Sequence, residues 1–221
     1  RGQDNEGLAL IYYGAVAGLS GDSDWFVESD RNDAFLGRSV AMAGDVNGDG
    51  YSDVIVGAPN WGSNEGRAYL YYGTPDGLTD SLFWSAESNQ AGAWFGYAVA
   101  GAGDVNADGY DDVIVGAPHA NEGQDNEGMA FVYFGSESGL NPHAGWLYAS
   151  DQIAAWFGCS VAPAGDVNTD GYADIVIGAY GYETDQPDEG AAFVFLGGEN
   201  GPAQAYAWHG EGNKIDTRYG F

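Results

Sequence analysis

A fixed repeat runs through the whole chain and limits what it can fold into. Trp25, Trp84, Trp146 and Trp208 are spaced 59, 62 and 62 residues apart. Gly37, Gly96, Gly158 and Gly220 keep the same intervals, and so do the pairs Glu6-Gly7, Glu65-Gly66, Glu127-Gly128 and Glu189-Gly190. Self-similarity at a constant period means stacked supersecondary units, each unable to bury its apolar face alone.

Within one unit, β-branched and aromatic runs alternate with Gly/Asn/Asp turns, which predicts strands at 37–44, 53–58, 66–72 and 81–86. No stretch carries a helical period or a capped helix. Four short strands per unit, repeated radially, make the blade of a β-propeller, so the fold class is all-β with four-stranded antiparallel blades. The phase is offset, because residues 2–7 repeat residues 123–128, the loop before a third strand. The expected division is 1–34 as the second half of a blade, 35–93, 94–155 and 156–217 as blades, and 218–221 as the start of another. That is roughly three and a half blades, whereas rings close with about 4–8. An open arc would expose strand edges. The expectation is therefore a piece of a longer chain, or a ring or filament completed by other copies.

Each unit also carries a nine-residue acidic loop: Asp45 to Asp53, Asp104 to Asp112 and Asp166 to Asp174. Asp45, Asn47, Asp49 and Asp53 with the Tyr51 carbonyl supply five oxygen groups at relative positions 1, 3, 5, 9 and 7, like the first part of an EF-hand loop. Asp104, Asn106, Asp108, Tyr110 and Asp112 repeat the set, as do Asp166, Asn168, Asp170, Tyr172 and Asp174. A sixth oxygen comes from a bidentate carboxylate at position 9 or from water. The set suits calcium, three ions per chain; magnesium demands tighter octahedral geometry, and zinc prefers His or Cys. An EF-hand continues with a glutamate at position 12 and a helix, but here Val56, Val115 and Ile177 stand there in β-branched runs. Each loop therefore joins two strands. Three carboxylates in one loop repel, so a bound cation would stiffen the turn.

Phe35-Leu36-Gly37, Phe95-Gly96 and Phe157-Gly158, each followed by an acidic loop and by Gly57-Ala58-Pro59, Gly116-Ala117-Pro118 or Gly178-Ala179-Tyr180, resemble the FG-GAP repeats of integrin alpha subunits and their bacterial relatives. The resemblance covers essentially the whole chain. It implies a seven-bladed parent propeller with calcium in the loops between first and second strands, on the lower face. It also implies, at the opposite face, a cup of aromatic residues just before the FG strand that grips a basic residue of a partner; by position these are Phe35, Trp94 and Trp156. Packing between blades is the other role open to them. Three departures stand out: Leu36 replaces the phenylalanine of the other copies, Tyr180 replaces proline, and only three metal loops are present.

A formal charge of −27, with Lys214 the only lysine, disfavours nucleic acid and anionic membranes as partners. No apolar run is long enough for membrane insertion. The lone Cys159 has no internal disulfide partner and reads as a strand thiol. Weak calcium loops suit millimolar calcium outside cells, giving an extracellular or cell-surface expectation. The leading function is a non-catalytic, calcium-stabilised module for adhesion, protein interaction or assembly, its partner a protein, a glycan or copies of itself. A carbohydrate-binding propeller is the alternative, drawing on Trp61, Tyr180 and Tyr182 as exposed rings beside carboxylates. So is the propeller part of a larger secreted polysaccharide-degrading or phospholipase-type enzyme. Within the chain no nucleophile elbow, phosphate loop or Cys/His metal spacing occurs, and His119, His143 and His209 fall at unrelated repeat positions.

Overall fold

A computed structural model describes residues 3–16, 18–185, 187–212, 214 and 217–220. Arg1, Gly2 and Phe221, used above to phase the repeat, lie outside the described residues. Three four-stranded antiparallel sheets succeed one another along the chain. The first blade is Ser39–Gly44, Asp53–Ala58, Arg67–Tyr71 and Trp84–Glu87; the second is Ala98–Gly103, Asp112–Ala117, Met129–Tyr133 and Trp146–Ala149. The third is Phe157–Gly165, Asp174–Ala179, Ala191–Phe195 and Trp208–Glu211, and before all three Leu8–Ile11 pairs with Trp25–Glu28. Every sheet is a meander in which sequence neighbours pair.

The second strands show why the β-branched runs were legible. Val113, Ile114 and Val115 are buried on both sides, one side facing each neighbouring blade. The first strand starts at Ser39 rather than 37 because Gly37 N–H is spent on Gly57 C=O and Arg38 N–H on Phe35 C=O in a tight turn. The fourth strand begins at Trp84 rather than 81, since a two-residue ribbon, Gly73–Thr74 with Gly77–Leu78, uses up the connection. Trp61–Asn64 makes one distorted turn, with Gly62 and Ser63 outside helical geometry.

The repeated motifs turn out to be the joints between blades. Phe95 and Phe157 are fully buried between neighbouring sheets. Their N–H groups donate to Glu65 C=O and Glu127 C=O at 3.1 Å, which explains why Glu-Gly and Phe-Gly stay in step. At the outer rim Trp25, Trp84 and Trp146 are buried, and their indole N–H groups donate to Thr79, Asn141 and Ala203 carbonyls of the next blade at 3.2, 3.0 and 3.2 Å. Trp208, in the last described blade, is 52% exposed. At the other end Met42, on the first strand of the first blade, is 69% exposed.

Cys159 is buried, and its thiol faces the Gly178 and Gly220 carbonyls at 3.4 and 3.5 Å. Burial pushes its pKa up to about 11, so it stays a protonated, unreactive thiol at neutral pH.

Candidate metal loops and upper face

Each acidic loop is placed by a bulge. The pairing of first and second strands slips between Met42 and Gly44, between Gly101 and Gly103 and between Pro163 and Gly165, just before the first aspartate. Such a bulge twists the strand and re-aims the residues after it. In the first loop Asp45 accepts from Asp49 N–H at 3.0 Å and Gly50 N–H at 2.8 Å, while Asn47 Oδ1 accepts from Asp49 N–H at 3.0 Å. Asp49 accepts from Tyr51 N–H at 2.9 Å. Gly50 sits at φ +89°, the left-handed region that a side chain resists. The second and third loops repeat this pattern bond for bond.

Position 9 does more than face the loop. Asp53, Asp112 and Asp174 are fully buried, and each carboxylate ties two loops together. Asp53 accepts from Val46 N–H at 3.0 Å and Gly73 N–H at 2.8 Å; Asp112 accepts from Val105 at 2.8 Å and Gly135 at 2.9 Å. Asp174 accepts from Val167 at 2.7 Å and Gly197 at 2.8 Å. Burial pushes the Asp53 carboxyl up to about 6 and Asp112 to about 7; the amide donors oppose this, and the nearby acidic pairs, Asp49 with Asp45 and Asp108 with Asp104, add to it.

The donor chemistry fits a hard divalent cation. Every group offered is a carboxylate, amide or carbonyl oxygen, Asp49 and Asp108 lie on the exposed rim, and each position-9 oxygen keeps a lone pair after accepting one amide. Neighbouring loops also clasp each other. Asp45 N–H donates to Asp111 Oδ2 at 2.8 Å, and Asp111 N–H returns a bond to Asp45 C=O at 3.1 Å; Ala173 N–H reaches Asp104 C=O at 3.0 Å.

Asp53 and Asp112 make stability depend on pH. With a folded carboxyl above its unfolded value near 3.8, the native state holds more protons than the unfolded chain, so stability falls as pH rises from about 4 to about 7. In EDTA the protein should melt several degrees higher at about pH 5 than at about pH 7.5, and Asp112→Asn should flatten that slope. A melting temperature that instead rises with pH in EDTA would show that these carboxyls are not held above their ordinary range.

The opposite face carries the rings. Phe35, Trp94 and Trp156 all have left-handed backbones, at φ 52°, 57° and 54°, a strained state that turns them off the strand path. Trp94 stacks on Tyr97 at 5.8 Å and meets His119 at 4.2 Å; His119 meets Trp156 at 5.7 Å, and Trp156 meets Tyr180 at 4.4 Å. Arg38 lies over Tyr97 at 4.3 Å and Arg218 over Tyr180 at 6.0 Å, so arginines flank this run of rings. Phe35 is exposed and outside it.

The expectation that Trp61, Tyr180 and Tyr182 are exposed rings is corrected, since all three are half-buried. Trp61 is covered by Arg31 at 4.5 Å and Arg67 at 4.8 Å, with Tyr69 edge-on at 6.0 Å. Tyr180 lies against Trp156 in the stack, and Tyr182 packs edge-on to Phe193 at 5.1 Å.

Two acidic features escaped the sequence reading. Fully buried Glu127 accepts the N–H groups of Glu122, Gly123 and Gln124, folding the preceding loop around its carboxylate. Burial works to raise its pKa, but those amides hold it below the ordinary value. Glu189 repeats the arrangement with Thr184 and Asp185. The recurrent Glu-Gly after a polar loop was the available signal. Separately, the carboxylates of Glu6, Glu28 and Asp30 converge within 4.8 Å of one another.

Fold and loops together define a class: radially repeated four-stranded β-propeller blades with one acidic loop each. The FG-GAP repeat matches residues 36–71, 95–133 and 157–195, more than half of the chain, and the chain belongs to this family. Integrin alpha-4 of Xenopus laevis is 36% identical over 153 residues, covering 66% of this chain and 14% of that protein. Integrin alpha-IIb of Mus musculus is 35% identical over 159 residues, 67% of this chain and 15% of that protein. Integrin alpha-8 of Homo sapiens is 29% identical over 187 residues, 76% and 17% respectively. The chain thus spans less than a fifth of the length of these relatives.

Proposed function

We propose that this chain is one continuous segment of a calcium-stabilised extracellular β-propeller, non-catalytic in itself, that serves adhesion or assembly by binding a protein partner through its upper face. The observation that carries the proposal is the stack from Arg38 to Arg218, opposite three bond-for-bond equivalent acidic loops. The chain already seats its own guanidinium groups on rings of this kind: Arg31, Arg38, Arg67 and Arg218 are four of its six basic residues. In a field of net charge −27 a lysine or arginine of a partner would be drawn to the faces of Trp94 and Trp156, and exposed Phe35 holds the equivalent repeat position.

Calcium, held by positions 1, 3, 5, 7 and 9 of each loop, would neutralise carboxylates that repel. The chain's own part is to fix those groups in place: the amides of residues 49–51, 108–110 and 170–172 orient the exposed donors, and the buried aspartate locks the loop to the sheet.

Melting curves with millimolar calcium and with excess EDTA test the metal. An ion bound only to the folded state at about a hundred times its Kd adds roughly 2.7 kcal/mol, several degrees in a chain of this size. An unchanged melt, with no calcium retained after gel filtration, would sink that part. For the upper face, Trp94→Ala with Trp156→Ala should abolish capture of a lysine- or arginine-bearing partner peptide while leaving the calcium-dependent melt in place. A collapsed melt would instead assign both indoles to packing.

A further inference from the structure

Three positions change together from one blade junction to the next. Between the first and second blades they are Ala86, Ala120 and Ala144; 62 residues on, between the second and third, they are Tyr148, Tyr182 and Tyr206. At the second junction these tyrosines, with Ser150, Phe157 and Phe193, enclose a cavity of about 200 Å3. Phe157 and Phe193 are buried and form its apolar wall, with ring centroids 5.6 Å apart; Tyr148 meets Phe157 at 5.4 Å, and Tyr182 and Tyr206 each meet Phe193 at 5.1 Å. The two phenylalanines thus hold the tyrosine rings in place without using their hydroxyls. Among the described residues none of the three hydroxyls has a hydrogen-bond partner in the protein.

We propose that this cavity binds a single neutral sugar ring, such as the terminal residue of a glycan. Size comes first: about 200 Å3 corresponds to roughly six or seven waters at liquid density, enough for one pyranose and below the ~300–1,000 Å3 of drug-sized sites. Charge comes second. Among the described residues no Lys or Arg lines the cavity, and His209, which packs behind Phe193 and Tyr206 at 6.0 and 5.2 Å, is engaged by Glu211 at 2.9 Å, so an anionic ligand would find no free counter-charge on the wall. Hydrogen bonding comes third. A phenol donates and accepts, as a sugar hydroxyl does, and Ser150 Oγ, which donates to Glu127 C=O at 2.8 Å and accepts from Gln152 N–H at 3.3 Å, keeps one lone pair. Burial, then the neighbouring phenols and the carboxylates of Asp151 and Glu211, hold Tyr148 and Tyr182 above the ordinary phenol range, so their O–H groups remain donors. Phe157 and Phe193 would take the C–H face of the ring. The proposal is separate from the protein-binding upper face and does not depend on it.

Saturation-transfer NMR on the calcium-loaded chain, with a panel of methyl hexosides and N-acetylhexosaminides and with choline as a comparison, tests it. One glycoside should saturate a single site in the millimolar range. Tyr182→Phe and Tyr206→Phe, which remove only a hydroxyl, should each weaken it roughly three- to tenfold with an unchanged melt. Tyr148→Ala combined with Tyr206→Ala restores residues that the first junction already carries, and should abolish binding in a folded protein. The proposal is overturned if no glycoside binds, if the phenylalanine variants bind as well as the parent, or if choline binds in preference, which would make the cavity a cation cage. None of these outcomes alters the EDTA melt or peptide capture.

Discussion

Asp112→Ala is expected to destabilise the protein by about 3–5 kcal/mol in calcium, and to remain destabilising by about 1–3 kcal/mol in EDTA. Asp108→Ala is expected to cost stability only when calcium is present. The contrast arises from what each carboxylate touches. Asp108 lies on the exposed rim and accepts only from Tyr110 N–H and Asn106 Nδ2–H, bonds that water can replace. Asp112 is fully buried and is the acceptor for Val105 N–H and Gly135 N–H. Removing it strands two buried donors, each worth about 1–3 kcal/mol, and opens a small void. The residual loss in EDTA is the smaller one because alanine also relieves the burial penalty that pushes the Asp112 carboxyl up to about 7. Melting curves of both variants, with and without calcium, measure all four values. If Asp112→Ala matched the parent in EDTA, the carboxylate would serve as a metal ligand and not as a structural tie.

That double role marks how far the sequence could be read. The strand Asp53–Ala58 was legible to the residue because β-branched side chains buried on both sides leave no other element for Val54, Ile55 and Val56. The acidic loops were legible as oxygen donors, since position and residue type are local. Their aspartate at position 9 was read only as a ligand, because its second partner is remote: Gly73 lies 20 residues from Asp53, and Gly135 lies 23 from Asp112. Trp84 stood out by its period, yet its task was hidden, as the carbonyl it binds is 57 residues ahead. Trp61 was misread for the same reason. Arg31, which covers it, lies in the turn that follows the strand pair before its blade, and no local pattern announces that neighbour. The tyrosine cavity was invisible because Tyr148, Tyr182 and Tyr206 meet only once two blades are docked.

The joint between blades should give the other large effect. Gly116→Ala is expected to cost about 3–4 kcal/mol and lower the melting temperature by roughly 10 °C, with Gly116→Val worse and poorly soluble. A Cβ on Gly116 would lie 1.9 Å from the Gly158 carbonyl oxygen of the next blade, so one backbone must move. Neither is free to do so. Gly116 C=O already accepts Gly96 N–H at 3.0 Å, and Gly158, held at φ +82°, presses its own Cα against Gly116 with the Met129 carbonyl behind it. Phe157, one residue earlier, is fully buried and pinned by Glu127 C=O, so yielding at Gly158 would also lift that ring out of the core. Gly123→Ala is the control, since a Cβ there meets nothing within 4 Å, and it should stay within about 0.5 kcal/mol of the parent. Gly178→Ala should fall between the two: its Cβ would meet the Gly220 carbonyl at 1.7 Å, but Gly220 comes after a half-exposed Tyr219 and can shift without opening a core. Thermal melts of the three variants read this order directly. If Gly116→Ala melted within a degree or two of Gly123→Ala, the blades would be held by side-chain packing alone and the glycine pair would be a consequence of their approach and not a condition for it.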